Sequence, residues 1–526
     1  MSRVSLIWHT VRYLKPRQLL YQVLNRLRPR PHLSIAPEPV IGYPVAAPAA
    51  GKPVALQDRT FTFLHQSVSF PEEIDWNYAA HGKLWTYNLN YFDYLNQPGL
   101  QPQQGLALIR DFIRQTNRLT AGLEPYPTSL RILNWIAFLS RHAIRDAAIH
   151  AHLYAQVALL RSRPEYHLGA NHLLENGLAL LTGAVYFRER SWLRAAIRLL
   201  QSQLTEQVLP DGGHYERSPM YHQLLLDRLL DAYVLLRGDN WHQTPELTAQ
   251  LAGTTARMLG WLNAITFANG DIPYFNDAAP GIAPATRQLR QKAGQAGVIP
   301  LALPLRESGF RKINLGEIEL VANAGAIGPD HQPGHAHADT FSFVLYVNNQ
   351  PIIVDLGTST YQIDQQRSLE RSTAAHNTVD VAGRNSSEVW SGFRVARRAR
   401  VSRPEESPHS LRVRHDGYAR LGVLHERTWQ VEPGRLLITD RLIATRRVGA
   451  AATGVARLHL HPDVAVTAHE NYYRVGPVLI NFGGDGLEET SVEPYEIADG
   501  FNRRRPAQCL RVSFRNLLTT TITVTG

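Results

Sequence analysis

Residues 305–347 read LRESGFRKINLGEIELVANAGAIGPDHQPGHAHADTFSFVLYV, and within them the spacing of apolar residues changes from helical to alternating. IELVANA (318–324) and FSFVLYV (341–347) are short runs rich in β-branched and aromatic residues, bounded by Gly, Asn and Asp. Such runs predict strands. Further runs follow to the end of the chain: PIIVDLG (351–357), HNTVDVA (376–382), RLLITDRLI (435–443), ARLHLHP (456–462), LRVSFRN (510–516) and TTTITVTG (519–526). So many strands over some 220 residues imply an antiparallel all-β domain of two packed sheets rather than a small barrel.

Upstream the pattern is helical. GLALIRDFIRQT (105–116), SLRILNWIAFLSRHAI (129–144), HLYAQVALLRSR (152–163), NHLLENGLALLTGAVYF (171–187), WLRAAIRLLQSQL (192–204), YHQLLLDRLLDAYVLL (221–236) and TTARMLGWLNAI (254–265) recur with short polar connections. They suggest stacked antiparallel hairpins without a fixed repeat period. The chain is thus expected to be α+β and multidomain: a basic arm and Pro/Ala-rich linker over 1–53, a helical domain over 54–304 and a β-domain over 305–526.

Composition bounds the function. The chain has 526 residues, 44% hydrophobic and 19% charged, which excludes disorder for most of its length. A formal charge of +10 favours an anionic partner. No zinc-finger spacing or RNP-like strand is present and the basic residues are scattered, so no nucleic-acid partner is expected. Cys509 is the sole cysteine, so any metal must be held by His and carboxylate. No apolar stretch is long enough to span a bilayer. At the N-terminus Arg3, Arg12, Lys15, Arg17, Arg26, Arg28 and Arg30 interrupt every apolar run before a secretory core can form. The arm reads as basic amphipathic helices broken near Pro16, either packed on the protein's own domain or in peripheral contact with an anionic membrane. This favours a cytoplasmic or membrane-peripheral setting over a periplasmic one.

Four clusters carry candidate chemistry. In RPEYHLGANHLLENG (163–177), Asn171, His172 and Glu175 fall near a helix start on one side, as a site or as a cap with a solvated histidine. In DGGHYERSPMYHQ (211–223), a Gly-bearing loop runs into a helix with Glu216 and Tyr221; positive neighbours such as Arg217 would lower the phenol and make it a usable base, whereas a packed tyrosine is the commoner outcome. In PGHAHADTFSFVLYV (333–347), His335 and His337 are two apart and would face one way on a strand. With Asp355 and His376, His337 offers nitrogen and oxygen donors suited to zinc. In YPTSLRILNWI (126–136), Arg131 and Asn134 sit on a largely apolar helix and need partners, either a substrate carboxylate or a neighbouring helix end.

The order SLRILNW, HLGANHLLENG, DGGHYERSPMYH, GHAHADTFSF, VDLGT and RSTAAHNTV resembles the heparinase II/III-like polysaccharide lyases. That resemblance implies an N-terminal α/α toroid, an incomplete barrel of helical hairpins, followed by a C-terminal antiparallel β-sandwich. It implies a lyase that cleaves an acidic, uronic-acid-containing polysaccharide by β-elimination. Asn171 would neutralise the uronate carboxylate with His172 and Glu175 beside it, Tyr221 would transfer the proton, and His335 would be the catalytic-site histidine. His172 is a further candidate catalytic residue, Arg131, Asn134, Glu175 and Glu216 are candidate substrate-binding residues, and His337, Asp355 and His376 match positions that hold a zinc ion in some members. LWTYNLNYFDYL (84–95) resembles relatives tied to bacterial surface-polysaccharide production, which points to exopolysaccharide or capsule metabolism. Two other readings stay open: a glycoside hydrolase using carboxylates among Glu175, Asp211 and Glu216, and a non-catalytic polysaccharide-binding or assembly protein.

Overall fold

The computed structural model describes residues 3–35, 39–46, 51, 53–445 and 453–525. All seven expected helical runs form helices, and two of the hairpins pair Ala170–Phe187 with Arg190–Gln207 and Pro219–Gly238 with Pro245–Ile265. Proline opens several helices, at Pro102, Pro125, Pro219 and Pro245, where its missing N–H costs nothing. The helical region begins with strands the sequence reading did not expect: Leu56–Gln57, Thr60–Phe63 and Gln66–Ser69 make a small antiparallel sheet. Alternation explains it, since Phe61 and Phe63 point into the helical core against Trp85 and Tyr94 while Thr60 and Thr62 face out.

Part of the expected linker, residues 36–38, 47–50 and 52, lies outside the described residues. The described part has neither helix nor strand and is laid on the helical domain: the Tyr43 N–H donates to the Tyr186 carbonyl at 2.8 Å. The arm forms two helices, Arg3–Val11 and Pro16–Leu27, broken before Pro16.

After the helix Thr286–Gln295 the chain is β-rich, beginning with Phe310–Leu315. An eight-stranded antiparallel sheet centres on Val423–Glu432, Arg435–Ala444 and Leu517–Val524. A four-stranded sheet runs in the order Leu487–Ala498, Arg504–Arg515, Thr453–His459 and Val379–Val381. A third runs in the order Phe310–Leu315, Ile318–Asn323, Phe343–Val347 and Gln350–Ile353. This third sheet is buried on both faces. Leu320, Phe343 and Leu345 pack with Trp429, Ile438, Leu458 and Leu510 of the other two sheets, whereas Val321, Val344 and Tyr346 join the helical core. Period-two alternation along two strands therefore joins the two halves of the molecule.

Four expected strand positions near the site differ. His335 and His337 sit in an irregular loop, because Pro333 and Gly334 precede them and no ladder partner is available before Phe343. Asp355 falls just past the strand Gln350–Ile353, and His376 lies between a short 3₁₀ turn and the strand Val379–Val381.

Candidate functional site

The geometry is built around a carboxylate the sequence reading missed. Asp277 lies in the irregular segment after the last long hairpin and is fully buried. Its Oδ2 accepts from His335 Nδ1 at 2.8 Å and from Arg367 Nη2 at 2.8 Å. Its Oδ1 accepts from His337 Nε2 at 2.8 Å, from Thr358 Oγ1 at 3.1 Å and from Arg367 Nη1. Burial alone would raise this carboxyl. The Arg367 guanidinium and the two imidazole hydrogen bonds outweigh it and hold Asp277 well below the usual range. The main chain adds to the lock: the Asp277 N–H donates to the His335 carbonyl, and the His337 N–H donates to Asn276 Oδ1 at 2.9 Å. Arg371 holds the Ala336 carbonyl from the other side.

The two imidazoles thus share one carboxylate but not one direction. The His335 side chain keeps 14% exposure, while His337 has none. With Nδ1–H donated to Asp277, His335 presents a bare Nε2, which accepts from Asn171 Nδ2 at 3.3 Å. The phenol ring of Tyr221 stacks on His335 with centroids 3.9 Å apart.

Asn171 stands at the second position of the helix Ala170–Phe187, whose N-cap is Gly169, so it is not the cap. Its backbone N–H donates to Glu216 Oε1 at 3.0 Å and its Nδ2 to Glu216 Oε2 at 3.0 Å. Its Oδ1 is buried without a partner among the described residues. Tyr221 enters from the start of Pro219–Gly238, where Ser218 Oγ caps its N–H at 3.2 Å. Its hydroxyl meets that of Tyr361 at 3.0 Å. The expected lowering of this phenol is overturned. Burial, then Tyr361, pushes it well above the ordinary tyrosine value, and Arg217 turns away to the carbonyls of Ala326 and Glu307.

The remaining sequence candidates divide. His172 stacks on Tyr126 at 4.1 Å and approaches Glu165 at 3.2 Å. Burial would lower its imidazole, but Glu165 and the nearby Glu216 and Glu175 raise it. Glu175 faces Arg228 at 3.7 Å. Asn171, His172, Glu175, Glu216, Tyr221 and His335 therefore gather at the junction of the helical and β regions. Arg131 and Asn134 stay inside the helical region. Arg131 is 0% exposed and donates to Gln156 Oε1 at 2.7 Å, to the Asn90 and Gly122 carbonyls and to Thr128. Burial pushes it down to about 9. Asn134 donates to the Tyr91 carbonyl and to Asp93 and accepts from Asn96.

His337 and His376 form a second, deeper cluster with ring centroids 5.3 Å apart. Each has one nitrogen fixed by a carboxylate: His337 Nε2 by Asp277, and His376 Nδ1 by Asp355 at 2.9 Å. The opposite nitrogens, His337 Nδ1 and His376 Nε2, are buried without partners among the described residues. That is the tautomer a metal ligand needs, with its outer nitrogen held by a carboxylate. The donor types fit zinc, although Asp355 is engaged with His376 and Ser342 and the described residues show no closed three-ligand set.

Tyr361 and Arg367 were also missed by the sequence reading. Arg367 and Arg371 are four apart in QQRSLER (365–371), a spacing that places two cations on one face, but nothing local names Asp277 as the partner.

Helical hairpins followed by layered antiparallel sheets, with polar groups converging at their junction, define the class of fold. Two family descriptions match the chain, "Heparinase II/III N-terminus" over residues 128–295 and "Heparinase II/III-like, C-terminal" over 300–525. The chain belongs to the heparinase II/III-like family. It is 22% identical over 313 residues to a heparin-sulfate lyase of Bacteroides stercoris, covering 54% of this chain and 45% of that protein. It is 28% identical over 292 residues to the FtsZ-localized protein C of Caulobacter vibrioides, covering 51% and 49%. The chain thus spans about half the length of the curated relatives it matches. A solved structure of heparinase III is similar in fold, with TM-score 0.66 and 16% identity over 88% of this chain and 81% of that one.

Because Arg131 is spent on buried carbonyls, Arg131→Ala is expected to cost about 3 kcal/mol or more of stability, since each acceptor left unpaired costs about 1–3 kcal/mol. Denaturant unfolding measures it. An unchanged midpoint would show that the guanidinium is available for a substrate instead.

Proposed function

We propose that the protein is a polysaccharide lyase that cleaves a uronic-acid-containing polymer by β-elimination. The observation that carries this is the meeting of Asn171, Tyr221 and His335 at the junction, with His335 turned by Asp277 so that its Nε2 points to Asn171 and lies 3.5 Å from Glu216 Oε2. We read the helical domain as an incomplete α/α toroid and the β-domain as a sandwich, with the polymer lying between them. Tyr126 stacks on His172 and, with Tyr87 on the far side of the buried Tyr91, is half-buried, so these two rings could stack on sugar rings.

The C5 hydrogen of a uronate is weakly acidic because the adjacent carboxylate resists a second negative charge. Held as its neutral acid, that carboxyl has a hydrogen to donate, and the buried Asn171 Oδ1 is an acceptor without a partner. His335 Nε2 takes the C5 proton, the C4–O bond breaks as C4=C5 forms, and the departing oxygen receives the proton of Tyr221. The raised phenol suits this division, since Tyr221 starts as the acid and not as a phenolate. A zinc ion at His337 and His376, with Asp355 as ligand or as the group orienting His376, would organise the loop carrying His335. The polymer fits a role in exopolysaccharide or capsule metabolism, a reading supported by the LWTYNLNYFDYL stretch.

A hydrolase reading loses one of its three candidate carboxylates. Asp211 accepts from the N–H groups of Gly213, Arg306 and Ser308 and from Ser308 Oγ, far from acid–base work.

Incubation with a panel of acidic polysaccharides should generate an unsaturated sugar absorbing in the near ultraviolet; its absence from every polymer sinks the lyase reading. On the polymer that is cleaved, Tyr221→Phe should lower kcat by on the order of 10²–10⁴ with binding kept within a few fold. Retained turnover would move the acid role elsewhere.

Asn171→Ala should lower kcat by on the order of a hundredfold with a smaller change in KM, the size of one lost preorganised group. A lowered melting point with unchanged kcat would make Asn171 purely structural.

Elemental analysis should find about one zinc per chain, and chelation should lower the melting temperature. Metal-free protein with an unaltered melting curve would reduce His337, Asp355 and His376 to internal hydrogen bonding.

A further inference from the structure

The two helices of the N-terminal arm leave their apolar sides uncovered. In Arg3–Val11, Ser5 and Thr10 face the β-domain: Arg397 Nη2 donates to Ser5 Oγ at 3.1 Å, and Trp390 Nε1 to Thr10 Oγ1 at 3.1 Å. Val4, Ile7, Trp8 and Val11 recur at i, i+3, i+4 and i+7 on the opposite side, with Val4 75% and Trp8 65% exposed. In Pro16–Leu27 the inward residue is Gln18, whose Nε2 donates to the His331 carbonyl at 3.2 Å and the Leu168 carbonyl at 3.5 Å. Leu20, Val23 and Leu27 recur on its outer side, Leu20 55% and Leu27 78% exposed.

A helix that docks through its polar side and shows its apolar side to water inverts the usual order for a surface helix. The cost is recovered only if something covers the stripe. Charge identifies the cover. Residues 1–30 hold seven Lys or Arg and no Asp or Glu, and Arg3, Arg12, Arg17 and Arg26 are exposed on the same two helices or the turn between them. A second copy of the arm would bring like charges together. An acidic polysaccharide would match the charge and could stack a ring on Trp8, but it has no continuous apolar surface to cover Val4, Ile7, Leu20, Val23 and Leu27. A bilayer with anionic headgroups supplies both.

We propose that this arm is an interfacial anchor that binds the protein to an anionic membrane surface. Its polar side is fixed to both halves of the molecule: Lys15 pairs with Glu206 at 2.6 Å, Arg398 lies 3.9 Å over the Tyr13 ring, and Gln18 holds the loops that lead to Asn171 and to His335. The anchor is therefore rigidly attached beside the candidate site and does not swing on a free tether. The inference is independent of the lyase reading, which a failure to bind membrane would leave standing.

The test is flotation of the full chain with phosphatidylcholine vesicles made with and without phosphatidylglycerol, at low and high salt. Binding should require phosphatidylglycerol and weaken with salt. The double variant Trp8→Ser/Leu27→Ser should bind at least about tenfold more weakly, because two apolar side chains no longer enter the bilayer. Both positions are exposed, so the variant should keep the wild-type melting temperature, and Ile7→Ser/Leu20→Ser serves as a second probe of the stripes. No binding to phosphatidylglycerol vesicles, or binding that both variants retain, overturns the proposal. So does a wild-type dimer in sedimentation that the variants dissolve without any vesicle binding.

Discussion

A buried carboxylate with five hydrogen-bond donors, Asp277, decides how the two halves of this protein meet. It leaves the helical region on an irregular segment and is held by Arg367, His335, His337 and Thr358, all from the β-region. An isolated buried carboxylate would cost several kcal/mol of desolvation, so the charge is tolerable only with every donor in place. The same condition fixes the direction of both imidazoles. His335 is turned toward the junction and His337 away from it because the two oxygens of one carboxylate face different ways.

The site has a matching electrostatic logic. Tyr221 is a phenol made reluctant to ionise by burial and by Tyr361, and it stacks on an imidazole whose Nδ1–H is donated to Asp277. Asn171 is pinned by Glu216 through both its backbone and side-chain N–H groups, which leaves its carbonyl oxygen as the group available to a newcomer. Each of these groups is oriented by a buried neighbour: His335 by Asp277, Tyr221 by Tyr361 and Asn171 by Glu216. Such prior orientation is what lowers the cost of meeting a developing charge.

Local pattern made the helices, most strands and the polar clusters readable, because 3.6- and 2-residue periods report directly on which face is buried. Asn171, Tyr221 and His335 lie in motifs beside helix starts and within a histidine-rich loop, but the resemblance to the family, not the local pattern, singled them out. Asp277 could not, because its partners lie 58 to 90 residues away and a lone Asp between Asn276 and Ala278 carries no periodic signal. The His335–His337 pair was read as a strand because a spacing of two mimics one; the proline and glycine before it were the contrary sign. Arg131 shows the limit in the other direction. A cation in an apolar helix looks like a ligand for substrate until the carbonyls of Asn90 and Gly122 are seen to occupy it.

The sheet that carries Val321 and Val344 on one face and Leu320 and Leu345 on the other determines how much the junction can move. Domains joined by small polar interfaces rotate freely, but here one layer is a wall of both hydrophobic cores. Separating the halves would expose that wall and break the Asp277 network in the same step. Hinge opening on the scale of a domain rotation is therefore opposed by two independent terms, one apolar and one ionic. Movement is left to side chains and loops at the rim of the junction, where Tyr361 packs edge-on against Phe393 and Phe501. The junction is held close to one shape by the packing of the fold, so under the lyase reading proposed above discrimination among polymers would fall to rim side chains such as Phe393 rather than to the buried residues that align His335.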